Sequence, residues 1–275
     1  MNNYVINNCI KLKYALLITP LFFLTAIILF LYLKNALQVD QYILIQSDFF
    51  YFLNATLSQF PTIIVNLTQL GDEIVILSLL SIFVLYAPKV WEALISSSLV
   101  SCIFTSSLKK IFAVPRPAAV FDPHSFVIIG KTLNGHNSLP SGHSVTIFTI
   151  LTVLLFAFMP KKLNYKILWY LFIIGMGLIL VLTRVGVGAH YPLDTIIGGI
   201  IGYVSGLLGI FINKKYAIWT WVNQKKYYPI FILFFLICIM SVISKIMDQN
   251  LFIFYVALAS LIISLYKIIY VYNKK

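Results

Sequence analysis

Six scarce side chains carry the chemistry open to this sequence. Among its twenty basic residues only two are arginines, Arg116 and Arg184, and the four histidines are His124, His136, His143 and His190. All six lie within 109–143 or 184–194. Arginine presents a rigid fork of donors that grips phosphate or carboxylate bidentately, whereas lysine is a point charge on a flexible stem. Arginine reserved for these two places points to one anion site built from two distant loops.

Three stretches hold the candidates. In KKIFAVPRP (109–117), Lys109 and Arg116 are the cations, and Pro115 and Pro117 end any helix and stiffen the backbone around Arg116. Taken alone, Lys109 and Lys110 equally suit a snorkelling pair that closes a membrane span. In SLPSGHSVT (138–146), Pro140, Ser141 and Gly142 turn into a helix that starts near His143. The free N–H groups at such a helix start attract an anion, Ser141 adds a hydroxyl, and Gly142 lets backbone approach a ligand. The ordinary alternative is Ser141 as a helix cap.

In TRVGVGAHYPLDTIIGG (183–199), Pro192 suits the first turn of a helix, which puts His190 and Asp194 one turn apart. A carboxylate bonded to one ring nitrogen fixes the tautomer and leaves the other nitrogen as base or nucleophile. Asp194 also suits a plain acid stabilising a helix start. Ionisable groups at a membrane junction are costly, however, and mark function. Together the three stretches describe a phosphate pocket with one histidine as nucleophile and a second as acid.

Membrane helices must position these residues. Of 275 residues, 61% are hydrophobic and 10% charged, more apolar surface than a soluble domain can bury. A span needs about 20 apolar residues. Runs at 14–33, 70–87, 90–108, 143–160, 166–183, 193–213, 228–245 and 251–271 are the candidates, with 40–66 read as interfacial or partly re-entrant because Asp40, Asp48, Asn54 and Pro61 break it. The first run is read as a retained anchor. Most lysines then gather on the side of both termini, which predicts both termini in the cytoplasm. Lys34, Lys109, Lys110, Arg116, Lys131, Arg184 and Lys245 fall on the opposite side. The net charge of +12 is thus mainly a topology signal and an attraction to anionic lipid. No basic domain exists to receive nucleic acid. The three cysteines have no zinc spacing and are read as small hydrophobes.

At these residues the sequence resembles the type 2 phosphatidic acid phosphatase (PAP2) family. The family pattern is KxxxxxxRP, then PSGH, then SRxxxxxHxxxD. Here it falls on Lys109 to Pro117, Pro140 to His143, and Thr183 to Asp194, with Thr183 in place of the family's serine. The resemblance spans about 89–213. It implies an all-α, polytopic transmembrane bundle with a six-helix core (1–213, motif region 109–194) and two further helices in 214–275. It also implies that His190 attacks phosphorus and becomes a phosphohistidine, that Asp194 orients His190, and that His143 protonates the leaving oxygen and then activates water. Lys109, Arg116, Ser141, Gly142 and Arg184 would hold the phosphoryl oxygens, with no metal or cofactor required.

The expected function is an integral membrane lipid phosphatase acting on undecaprenyl pyrophosphate, phosphatidylglycerol phosphate, phosphatidate or a lipid A phosphate. The expected location is a bacterial inner membrane with a periplasmic site. A lipid phosphotransferase with the same site, or a non-catalytic lipid-phosphate binding or transport protein, are the alternatives. His124 and His136 are read as exposed loop residues. The helices after 228 are read as packing or a dimer interface rather than as a wall selecting bulky lipid chains.

Overall fold

The computed structural model describes residues 1–274, and every regular element among them is a helix. In chain order these are α1 (Asn2–Ile10), α2 (Ile18–Leu33), α3 (Val39–Leu44), α4 (Ser47–Leu57), α5 (Pro61–Thr68), α6 (Glu73–Leu79), α7 (Phe83–Tyr86), α8 (Pro88–Phe112), α9 (Pro117–Val120), α10 (Gly142–Ala157), α11 (Leu163–Gly186), α12 (Pro192–Tyr216), α13 (Tyr228–Asp248) and α14 (Phe252–Asn273). Six segments are long and apolar enough to cross a bilayer, containing α2, α8, α11, α12, α13 and α14. The central helix α10 has 16 residues. Large apolar side chains such as Phe22, Leu171, Leu233 and Ile262 are exposed on the outer helices, as a lipid-facing surface requires.

The expected continuous span at 70–87 is not one helix. Residues Pro61–Gly71 and Glu73–Leu79 meet at a bend of 85°. Asp72 causes a fresh helix to start there: its Oδ1 accepts from Ile74 N and Val75 N at 3.1 and 3.2 Å. The apolar but broken segment 40–66 resolves into α3, α4 and the start of α5.

Side-chain clamps distinguish the two ends of the bundle. At one end Asn8 Nδ2 donates to Ala157 O and Met159 O, both at 3.1 Å, and Lys89 N donates to Asn2 Oδ1 at 3.0 Å. Lys214 Nζ donates to Ile10 O at 2.6 Å. At the opposite end the bend at Gly71 lies against His143 at the start of α10. Residues 72–88 therefore run the length of α10 in two short helical pieces.

Close packing of α12 sets the depth of the site. Its glycines let α10 approach until backbones touch. A Cβ on Gly198 would sit 2.8 Å from Ser141 O, and one on Gly202 would sit 2.4 Å from Val145 O. Small residues on one helix face are how membrane helices gain dispersion contacts that lipid cannot supply. This packing brings the first turn of α12, with Asp194, beside the first turn of α10, with Ser141. Ser141 N donates to Asp194 O at 3.1 Å and locks the register.

The last two helices form a hairpin on the flank. Phe231, Phe235, Phe254 and Leu261 join Val75 and Trp91 in a second apolar core, so α13 and α14 pack on α6 and the start of α8. The Trp91 ring meets Phe231 edge-on at 5.9 Å.

Candidate active site

His190 lies in the short turn between α11 and α12. Gly188 makes that turn possible with φ of +75°, a left-handed conformation open to glycine. Ala189 N and His190 N then fold back to Arg184 O at 3.0 and 3.3 Å. The imidazole is 1% exposed. Its Nδ1 lies 3.5 Å from Asp194 Oδ2 and 3.3 Å from Ser138 Oγ, while Ser138 Oγ donates to the same Asp194 oxygen at 2.6 Å. The expected His190–Asp194 pair is present, but Ser138 is wedged into it. Asp194 also accepts from Tyr42 OH at 2.7 Å and from Tyr191 N at 3.1 Å. This carboxylate is fully buried and surrounded by donors, as a buried charge must be.

On the other side of the ring, Arg116 Nη1 lies 3.3 Å from His190 Nε2. Guanidinium can only donate, so Nε2 accepts and the ring proton sits on Nδ1. Burial above all, then the charges of Arg116, Arg184 and Lys109, hold the His190 imidazole well below its ordinary value of 6.5. The neutral ring with a lone pair on Nε2 is the form a nucleophile needs.

Arg116 and Arg184 are both buried, yet neither forms an ion pair among the described residues. Arg116 is held by Asn137 Oδ1 at 2.7 Å and Ala189 O at 3.1 Å. Arg184, in the last turn of α11, donates from Nη1 to Thr68 Oγ1 at 2.8 Å, and its buried Nε has no partner. Lys109 is half-buried while Lys110 is exposed. Lys109 Nζ lies 3.6 Å from the position a Cβ on Gly142 would occupy, which puts the ammonium at the start of α10.

His143 begins α10 and lines a cavity of about 270 Å³ together with Thr68, Arg184, Ala189 and Lys245. It also borders a groove of about 410 Å³ between α6 and α8, lined by Asp72, Cys102, Thr105 and Gly142. Ser141 is fully buried, and its Oγ accepts from Ser144 N at 3.4 Å, which caps α10, and from Ser144 Oγ at 2.9 Å. Thr183 turns its hydroxyl to Leu180 O at 2.5 Å and lies outside the cavity lining. His124 and His136 are exposed on the loop.

The eight candidate residues thus gather at one end of the bundle. Sequence reasoning missed Ser138, Asn137, Tyr42 and Thr68. Ser138 could have been found two residues ahead of Pro140. Tyr42 and Thr68 lie in the stretch before α6, where polar residues in an apolar run were their only signal.

Residues 90–216 match the family model of the PAP2 superfamily. Among solved structures, the chain is similar to the crystal structure of Aquifex aeolicus LpxE. The two share 26% identity over 61% of this chain and 95% of that one, with a TM-score of 0.50. A comparison with curated proteins gives no match. All three chemical stretches lie inside the matched region, and α13 and α14 lie beyond it. By that match, which covers a little under half of the chain, and by the assembly of the three stretches at one end of a helical membrane bundle, residues 90–216 are similar to the PAP2 superfamily.

Proposed function

We propose that this protein is an integral membrane lipid phosphatase that works through a phosphohistidine on His190, without a metal or cofactor. One observation carries the reading: two buried arginines and a half-buried lysine surround a buried neutral histidine, and none of the three has an acidic partner among the described residues. Buried charge without a counter-ion is costly, and a phosphate dianion is the group that would relieve it.

The chemistry follows from the geometry. His190 Nε2 attacks phosphorus, and the bond from phosphorus to the leaving oxygen breaks with its electron pair on that oxygen. His143 supplies the proton to the leaving oxygen. Arg116, Arg184, Lys109, Ser141 and the backbone at Gly142 stabilise the charge on the equatorial oxygens. Asp194, with Ser138, stabilises the imidazolium character that His190 acquires. In the second half a water attacks phosphorus, His143 takes its proton, and the P–N bond returns its electrons to His190. Histidine suits both directions because an unperturbed imidazole has a proton affinity near neutral pH, and the negative charge of a bound phosphate favours its protonated form against the surrounding cations.

The substrates this reading offers are undecaprenyl pyrophosphate, phosphatidylglycerol phosphate, phosphatidate and a lipid A phosphate. The similarity to Aquifex aeolicus LpxE supports a bacterial lipid phosphatase. The lysine distribution supports a cytoplasmic-membrane protein with both termini inside and the site on the periplasmic face. Residues 1–213 then form the catalytic unit and 214–275 its extension.

Phosphate release by detergent-purified protein over that lipid panel, with chelator, tests the proposal. Chelator-resistant release, absent in His190→Ala, is the expected result. Folded wild type that releases no phosphate from any of the lipids sinks it. Appearance of a phosphorylated acceptor lipid instead of free phosphate would identify a phosphotransferase, and binding without turnover a transport or binding role.

A further inference from the structure

The hairpin outside the family match reaches the site. Lys245, in the last turn of α13, lines the same cavity as His143 and Arg184. Its Nζ donates to Asp72 Oδ2 at 2.8 Å, and both side chains are partly buried, at 29% and 23% exposure. At the rim, Lys131 Nζ pairs with Asp248 Oδ2 at 3.0 Å, but these side chains are 75% and 57% exposed. An exposed pair of that kind contributes little and opens readily. Lys245 therefore joins Arg184 and the exposed Lys131 among the basic residues that line the cavity, and it comes from a segment that the catalytic steps above do not use.

We infer that Lys245 is a specificity-determining residue that binds a second phosphate of the substrate, next to His143. This rests on the phosphatase reading. An ammonium has three donors, so Lys245 can keep Asp72 and still bond a phosphate oxygen. In an in-line displacement the leaving oxygen lies opposite His190, on the side of His143. A leaving group that is itself a phosphate brings extra negative charge to that side. There Arg184 and Lys245 are the more buried cations that can meet it, with Lys131 exposed at the rim. A leaving alcohol brings no such charge and gains nothing from Lys245.

The competing reading is mechanical, with Lys245 clamping the hairpin to α6. Asp72 separates the two. Asp72→Asn breaks the ion pair but keeps the helix cap and leaves the Lys245 charge in the cavity. The measurement is kcat/KM in micelles for two substrate pairs, farnesyl diphosphate against farnesyl phosphate, and phosphatidylglycerol phosphate against phosphatidate. Lys245→Ala should lower the ratio of the two-phosphate to the one-phosphate substrate by about tenfold or more, the loss of one charged hydrogen bond. Lys245→Arg should restore most of it, and Asp72→Asn should hold it near wild type. The pair whose ratio falls tells whether the second phosphate is adjacent or across the headgroup.

An unchanged ratio in Lys245→Ala for both pairs overturns the inference. So does an equal fall of both substrates that Asp72→Asn reproduces. A wild type that releases phosphate from none of the four, nor from undecaprenyl pyrophosphate or lipid A, removes the phosphatase reading itself. Hydrolysis of all four with no change in ratio removes only the role of Lys245.

Discussion

Arg116 Nη1 stands 3.3 Å from His190 Nε2, on the nitrogen that attacks phosphorus in the proposed mechanism. The guanidinium covers the lone pair of a histidine that is 1% exposed. In the proposed mechanism a bound phosphoryl group takes this place, with Arg116 turning from the ring to an oxygen of the substrate. Arg116→Lys keeps a charge but loses the fork that also reaches Ala189 O and Asn137 Oδ1. We expect kcat/KM to fall roughly 100-fold, the scale of a lost charged transition-state contact. Steady-state kinetics on the preferred lipid check this, and a loss under threefold would contradict the placement.

The pH profile follows from the same neighbours. His190 is neutral because burial and then Arg116 push its proton affinity down. The acid limb belonging to His190 should therefore lie below pH 6.5, its ordinary value. Arg116→Gln removes the first of the cationic causes, so the limb of the residual activity should move to higher pH. For stability the sign is also set. The unfolded state binds the proton first, so this histidine's contribution is full above about pH 6.5 and declines as pH drops. Melting curves in detergent from pH 8 to 5 should fall on the acid side, less steeply in His190→Gln.

Ser138 and Tyr42 both bond Asp194, but only Ser138 also touches the ring. Burial first, and then the charge of Asp194, push the Tyr42 phenol well up, so it stays a donor. Tyr42→Phe leaves a buried carboxylate oxygen short of a partner and should cost about 1–3 kcal/mol of stability. Ser138→Ala should lower kcat about tenfold with little change in KM, because it loosens the proposed nucleophile rather than the substrate. Thermal unfolding beside kinetics separates the two effects. A Ser138→Ala enzyme with wild-type kcat would remove Ser138 from the positioning set.

Gly71 holds His143 in place by having no side chain. A Cβ there would lie 2.6 Å from His143 Cβ and 2.8 Å from Cδ2, closer than atoms can pack. The histidine starts a helix and has little room to retreat. Gly71→Ala should cut kcat by about 100-fold, a usual loss for a displaced acid–base group. Wild-type turnover in this variant would show that His143 tolerates displacement.

Cys102 is exposed on α8 in the groove that borders His143, whereas Cys9 and Cys238 are buried. A membrane-permeant maleimide should modify Cys102 first. If the groove carries the lipid chain, modification should lower activity and substrate should slow it, with Cys102→Ala resistant. Mass spectrometry of the labelled protein and residual turnover give both readouts. Full activity after complete labelling would close this route.

Much of the site was legible because its chemistry is local. Each stretch carries its own spacing, as with Lys109 and Arg116 or His190 and Asp194, and the scarcity of arginine marks which cations matter. The long apolar runs were legible for the same reason, since a span is a property of about 20 consecutive residues. Tertiary structure decided what depends on distant segments. The break at Asp72 is set by a cap and by contact with His143, so hydropathy reads straight through it. Ser138 enters the His190–Asp194 pair because its N–H is tied to Val114 O and glycines on α12 bring the start of α10, just after it in the chain, against α12. Tyr42 is 152 residues from Asp194 in the chain, and nothing local to either announces the bond. Lys245 read as an ordinary residue at the end of a span. It acquires a cavity, and Asp72 as a partner, only when the hairpin folds back on α6, because burial and electrostatic neighbours are fixed by packing, not by composition.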